Sequence, residues 1–259
     1  MSQPMLERDD NAGVAWLTLA RPDAYNSLSL ELMQGLHEEL DRIAEDQGVR
    51  CVVIRGAGKG FCAGHDLKQM LGEGEESYYR CTFDTCSRLM QRIVSLPVPV
   101  IAQVHGVATA AGCQLVASAD LAVASDNARF ATPGVNIGLF CSTPMVALSR
   151  AVQPKHAMEM LLTGDLINAD RACEVGLINQ AVPEAELQTT VEGLAGKIAA
   201  KSRRTLQIGK QAYYKQRELP LADAYAYCSD VMVGNMLTDD AQEGIDAFIN
   251  KRQPQWTHR

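Results

Sequence analysis

Short apolar runs alternate with amphipathic stretches through the first two thirds of this chain, and no other feature constrains its fold as much. Cys51–Ile54, Val100–Val104 and Leu121–Ala124 are almost wholly apolar. Strands of that kind are buried on both faces, as in a parallel sheet. Val14–Ala20 alternates and reads as another strand, with further extended pieces at Phe130–Ala131 and Leu177–Val182. Between the strands lie helical signatures. Ser29 can cap a helix running to about Gln47, with Leu36, Leu40 and Ile43 on one face. Glu75–Leu96 reads as a long helix that Pro97 and Pro99 end. Met145–Ala151, Lys155–Leu162 and Asp170–Val175 read as helices. From Glu184 the pattern is helical to the end, closing on Ile245, Phe248 and Ile249. The expected fold is therefore α/β, in one domain over residues 1–259. Its core covers about 1–195, and a helical C-terminal region, about 196–259, is assigned to assembly.

The net charge of −7 and pI of about 5.3 argue against a general nucleic-acid or anionic-membrane surface. No stretch reaches the roughly 20 apolar residues of a membrane span. Met1–Asp10 is polar and acidic, without an apolar signal core or an Arg-rich transit pattern, so the expected location is cytoplasmic. Cys51, Cys62, Cys81, Cys86, Cys113, Cys141, Cys173 and Cys228 are scattered and form no CxxC pair. No metal site or dithiol is expected, and these thiols read as reduced core residues.

Two loops invite a ligand. Gly56-Ala57-Gly58-Lys59-Gly60 follows a strand but fits neither phosphate-binding template. Phe61 stands where a dinucleotide fingerprint needs a small residue, and Gly60 where a P-loop needs Ser or Thr. It reads as a tight turn. Ala108-Thr109-Ala110-Ala111-Gly112-Cys113 is a run of small residues leading into an apolar helix. Small side chains admit a ligand to the backbone, and a helix start offers unpaired N–H groups suited to a developing oxyanion. Close helix packing is the alternative reading.

In order and spacing, Arg21–Leu28 (RPDAYNSL), Phe61–Leu67 (FCAGHDL), Gly106–Asp120 (GVATAAGCQLVASAD), Phe130–Val152 and Gln242–Arg252 resemble the crotonase, or enoyl-CoA hydratase/isomerase, superfamily. GHDL, ATAAGCQL and TPGVNIGLFCSTP are similar to its enoyl-CoA hydratase domain-containing protein 3 subgroup. The resemblance implies a spiral of ββα units whose C-terminal helices build trimers, often paired into hexamers. It implies a coenzyme A thioester as ligand, with no separate cofactor. The thioester oxygen would be held by the backbone N–H groups of His65 and Ala111. Ala24, Ala63, Asp66, Leu67 and Lys68 would line the adenine and pantetheine path. Phe248 and Lys251 would close over the nucleotide, often from a neighbouring subunit.

The chain departs from the hydratase pattern at the two catalytic glutamates, which correspond to Gln114 and Gly134. An amide does not ionise near neutral pH and glycine has no side chain, so neither activates water in the usual way. His65 is the titratable candidate for a replacement acid or base, and a His here also resembles the methylmalonyl-CoA decarboxylase branch. Cys141 and Ser142 occupy a segment where other branches place catalytic side chains, although a core thiol and a helix cap are their ordinary readings. His105 and Asp120 read as structural. Three functions follow: a hydratase-like lyase of fatty acid metabolism, a different enolate chemistry such as isomerisation or decarboxylation, or a non-catalytic acyl-CoA-binding protein.

Overall fold

The computed structural model describes residues 4–258. Its main sheet has six strands, β1 (Leu6–Asn11), β2 (Val14–Leu19), β3 (Cys51–Gly56), β4 (Val100–Val104), β6 (Leu121–Ser125) and β9 (Gln180–Val182), in the order β1-β2-β3-β4-β6-β9. β2 to β9 run parallel, and only β1 is antiparallel, joined to β2 across Ala12-Gly13, both at positive φ. β1 is an edge strand that is polar and mostly exposed, so no apolar alternation announces it.

Side chains of the parallel strands alternate between two apolar layers. Val52 and Ile54 face α1 (Leu30–Glu45) and α3 (Glu76–Ser95), among Leu36, Leu40, Ile43, Leu89 and Ile93. Cys51 and Val53 face the other way, toward Leu187, Val191 and Ala195 of α8 (Glu184–Ala199). Ser29 caps α1 as expected, its hydroxyl accepting from the Leu32 N–H at 3.2 Å.

A second, three-stranded sheet holds β5 (Val107–Thr109), β7 (Arg129–Ala131) and β8 (Ile167–Asn168). Successive units send one strand to the large sheet, the next to the small one, and then a helix. β4, β5 and α4 (Ala111–Ser118) form one unit; β6, β7 and α5 (Ser142–Ala151) form the next. This is the expected spiral of ββα units. α2 (Leu67–Glu73), which the sequence reading passed over, precedes α3; α6 (Pro154–Thr163) and α7 (Ala169–Glu174) follow α5. Residue 195 lies inside α8, whose buried side chains continue to Ala199. Beyond it come α9 (Arg203–Gln216), α10 (Leu221–Met236) and α11 (Asp239–Ile249). No described helix is long and apolar enough to cross a membrane.

Candidate functional site

Two backbone N–H groups on touching segments, those of His65 and Ala111, form the centre of the candidate site. Segment 61–65 lies between residues 26–28 and β5. The Cys62 N–H donates to the Val107 carbonyl at 3.0 Å, and the Thr109 N–H donates back to the Cys62 carbonyl at 3.0 Å. On the other edge, the Leu28 N–H donates to Gly64 at 2.7 Å and the Asp66 N–H to Leu28 at 3.1 Å. In such a parallel bridge the residue between, His65, turns its own N–H away from Leu28. No described residue accepts that N–H. Ala111 opens α4, where the first turn has no intrahelical acceptor, and its N–H is likewise unpaired among the described residues. The two segments touch: a Cβ placed on Gly64 would lie 3.5 Å from the Ala111 nitrogen. An oxygen gaining negative charge here would meet fixed donors and the positive end of a helix.

The loops that hold these donors are heavily tied. The buried Asn26 amide donates to the carbonyls of Ala57 and Gly60, both at 2.8 Å, and its oxygen accepts from the Arg21 N–H. Arg21 reaches Asp66 at 2.8 Å, and Asp66 also caps α2 by accepting from the Gln69 N–H. The Asp66 carboxylate, expected on the ligand path, therefore holds two loops together, and these partners keep its pKa below the usual range despite burial. Ala110, immediately before α4, adopts φ 50°, ψ −116°, a conformation that costs a residue with a side chain about 1–3 kcal/mol. Nothing in the run of small residues signalled that strain.

The His65 side chain corrects an expectation. Its ring meets Phe83 of α3 edge to face at 5.4 Å, and Nε2 is buried with no hydrogen-bond partner among the described residues. Burial pushes its pKa down to about 4, so the imidazole is uncharged at neutral pH rather than titrating near 6.5. The hydroxyls of Tyr78 and Thr82, also on α3, are buried without partners too.

Gln114 lies one turn into α4, 4% exposed, with the Cys86 thiol 3.8 Å from its oxygen. Gly134 sits in a short 3-10 turn, Pro133–Ile137. A Cβ there would come 2.6 Å from the Leu139 carbonyl oxygen and 2.9 Å from the Cys141 sulfur. Cys141 thus fills part of the space a side chain at 134 would need, and burial raises its thiol pKa away from the reactive range. Ser142 is exposed at the start of α5, its hydroxyl 3.4 Å from the Phe140 carbonyl; it does not cap the helix. Among the described residues, neither side chain hydrogen-bonds to a base that would activate it.

Ala24 is half-buried in a 3-10 turn, and Ala63 is exposed, with its carbonyl accepting from the Thr109 hydroxyl. Leu67 and Lys68 are exposed on α2. Phe248, 85% exposed, and Lys251 stand apart at the end of α11, which packs on α9 and α10. A cleft of about 1260 Å³ between α3, α4, α5 and α9 includes Gln114 in its wall but neither His65 nor Ala111. His105 and Asp120 are structural: His105 Nε2 lies 2.9 Å from the Gly58 carbonyl, and Asp120 accepts from buried Lys210 at 2.6 Å and from the Tyr214 hydroxyl.

Residues 9–259 match the family model described as enoyl-CoA hydratase/isomerase. The chain is 47% identical over 255 residues to enoyl-CoA hydratase domain-containing protein 3, mitochondrial, of Xenopus laevis, covering 98% of this chain and 87% of that one. It is 48% identical over 246 residues to the Homo sapiens protein of the same name, covering 95% and 81%. Among solved structures, an enoyl-CoA hydratase of Mycobacterium smegmatis superposes with a TM-score of 0.96 at 49% identity, covering 98% of this chain and 99% of that one. Human enoyl-CoA hydratase domain-containing protein 3 gives 0.95 at 47%, covering 98% and 100%. The vertebrate relatives are named mitochondrial, which corrects the cytoplasmic expectation. That expectation rested on the composition of ten residues, too little to decide a compartment.

Proposed function

The chain belongs to the enoyl-CoA hydratase/isomerase family, and we propose that it binds an acyl-CoA thioester and polarises the thioester carbonyl without activating water. One observation carries the reading. The His65 and Ala111 N–H groups are paired in space and unpaired chemically, while the positions for water chemistry hold a buried amide and a glycine walled in by Leu139 and Cys141.

The thioester oxygen accepts from both N–H groups. As the α-carbon of a malonyl-type ester loses CO2, the bonding pair left behind moves into the enolate and onto that oxygen, and the fixed donors lower the barrier by about 2.7–4 kcal/mol each. Gln114 can donate or accept a hydrogen bond but cannot take a proton from water at neutral pH. With its pKa lowered by burial, the His65 imidazole carries no positive charge near pH 7 and is a weak base, so the contribution assigned to His65 is its backbone N–H. This favours decarboxylation, whose first step needs no base, or acyl-CoA binding alone, over hydration and over isomerisation, which needs a base for the α-proton. The thioester brings its own coenzyme A, and these steps call for no further cofactor.

Ala24, Ala63, Leu67 and Lys68 are assigned to the pantetheine and adenine path, and Phe248 and Lys251 to the nucleotide. A trimer or hexamer is part of the reading. Its support is α10, which buries only Ala224 of its own helix while Leu221, Tyr225, Met232 and Val233 stay exposed. In an assembly, Phe248 and Lys251 could serve a neighbour's site.

The test is a panel of enoyl-, 3-enoyl- and malonyl-type CoA esters incubated with purified protein and read by mass spectrometry, with calorimetry of each ester against free CoA. The reading expects esters to bind more tightly than free CoA, and hydration of crotonyl-CoA to be about 10²-fold or more below a two-glutamate hydratase. Equal affinity for free CoA, or ordinary hydratase turnover, would refute it.

A further inference from the structure

We infer that Ala110 is a positioning residue: its methyl group, held on strained backbone against Gly64, fixes the relation between the two N–H donors. This rests on the proposed thioester site. At φ 50° and ψ −116°, Ala110 occupies a conformation ordinarily left to glycine. Such outliers persist where surrounding contacts over-determine them, and here those contacts can be named.

The Ala110 N–H donates to the Ala131 carbonyl of β7 at 2.9 Å. Thr109, one residue earlier, is tied to segment 62–64 twice, by its N–H to Cys62 and its hydroxyl to the Ala63 carbonyl at 3.1 Å. Gly112, two residues later, has no room behind it; a Cβ there would fall 2.0 Å from the Cys62 carbonyl oxygen. The start of α4 therefore cannot rotate to relax Ala110 without breaking one of these contacts.

The methyl group has its own contact. Gly64, at φ 101°, would place a Cβ 2.9 Å from the Ala110 Cβ, so the bare face of Gly64 is where the Ala110 methyl fits. Gly64 directly precedes the first donor, and Ala110 directly precedes the second. The contact between them thus links the two segments that carry the His65 and Ala111 N–H groups. Fixed donors act on a developing charge without reorganising; donors free to move lose that advantage.

Ala110→Gly relieves the backbone and removes the methyl in one step. A merely structural Ala110 would give a variant of equal or higher melting temperature with unchanged ligand preference. A positioning Ala110 gives that thermal stability with a changed ligand preference. The decisive readouts are two: the Kd ratio of butyryl-CoA to S-butyl-CoA, a thioether of the same chain lacking the carbonyl, and the red shift of cinnamoyl-CoA absorbance on binding, which reports carbonyl polarisation. In Ala110→Gly the preference for the thioester should fall by about 3-fold or more and the red shift should shrink, with free CoA affinity unchanged. Ala110→Ser, which keeps the Cβ, should restore both. Wild-type preference and red shift retained in Ala110→Gly would overturn the inference alone, and so would a Gly variant that fails to fold, because relief of strain cannot cause that. Absence of any thioester preference in the wild type would overturn both the inference and the site it rests on.

Discussion

Replacing His65 by Phe should flatten part of the acid limb of the stability profile. The imidazole is buried against Phe83 with Nε2 unpartnered, and its pKa is pushed down to about 4 from 6.5. Between these values the unfolded chain binds a proton that the folded chain refuses. Stability from this residue is therefore fully present above about pH 6.5 and is lost as pH falls toward 4. The whole interval is worth on the order of 3 kcal/mol, of which about 2 kcal/mol should be gone by pH 5. The carboxylates held below their usual range, Glu31, Asp66 and Asp240 among them, lose their contributions only at still lower pH. The window from pH 7 to 5 consequently isolates the histidine. Urea unfolding of wild type and His65→Phe at pH 7, 6 and 5 measures it, since Phe keeps the backbone N–H and does not titrate. Wild type should lose about 2 kcal/mol more than the variant across that window. Parallel slopes would show that the imidazole is accessible to protons in the folded state, and His65 would return as a candidate acid.

Gly134→Ala should destabilise the protein by about 1–3 kcal/mol, because the new methyl meets the Leu139 carbonyl and the Cys141 sulfur; a shift in urea midpoint at unchanged slope measures it. For the same reason Gln114→Glu combined with Gly134→Glu should not restore crotonyl-CoA hydration, and turnover appearing in that double variant would show that the 139–141 segment yields. Asp240→Ala should free the C-terminal residues, since buried Asp240 accepts from the Thr257 and His258 N–H groups and the Ser202 hydroxyl. Hydrogen exchange should show those two amides losing protection while β3 and β4 keep theirs.

The spiral core was legible because its strands are apolar on both faces and its first helix, α1, carries a capping serine. β1 was not, because an exposed edge strand needs no apolar side chains. At the site, the motifs pointed to His65 and Ala111, whose N–H groups have no acceptor among the described residues. Three features lay beyond sequence reading because each depends on a residue distant in the chain. The His65 imidazole packs against Phe83 on α3, and burial lowers its pKa. The space beside Gly134 is taken by Leu139 and Cys141 from the far side of a turn. The strain at Ala110 follows from ties to β7 and to segment 62–64, which composition does not encode.

The central claim is that two backbone N–H groups hold a thioester oxygen. Calorimetric titration of the wild-type protein with butyryl-CoA and with S-butyl-CoA tests it most directly, because the two ligands share nucleotide, pantetheine and chain and differ only in the carbonyl. Two net hydrogen bonds of about 0.5–1.5 kcal/mol each predict that the thioester binds roughly 10-fold more tightly or better. Equal dissociation constants for the two ligands would contradict the account.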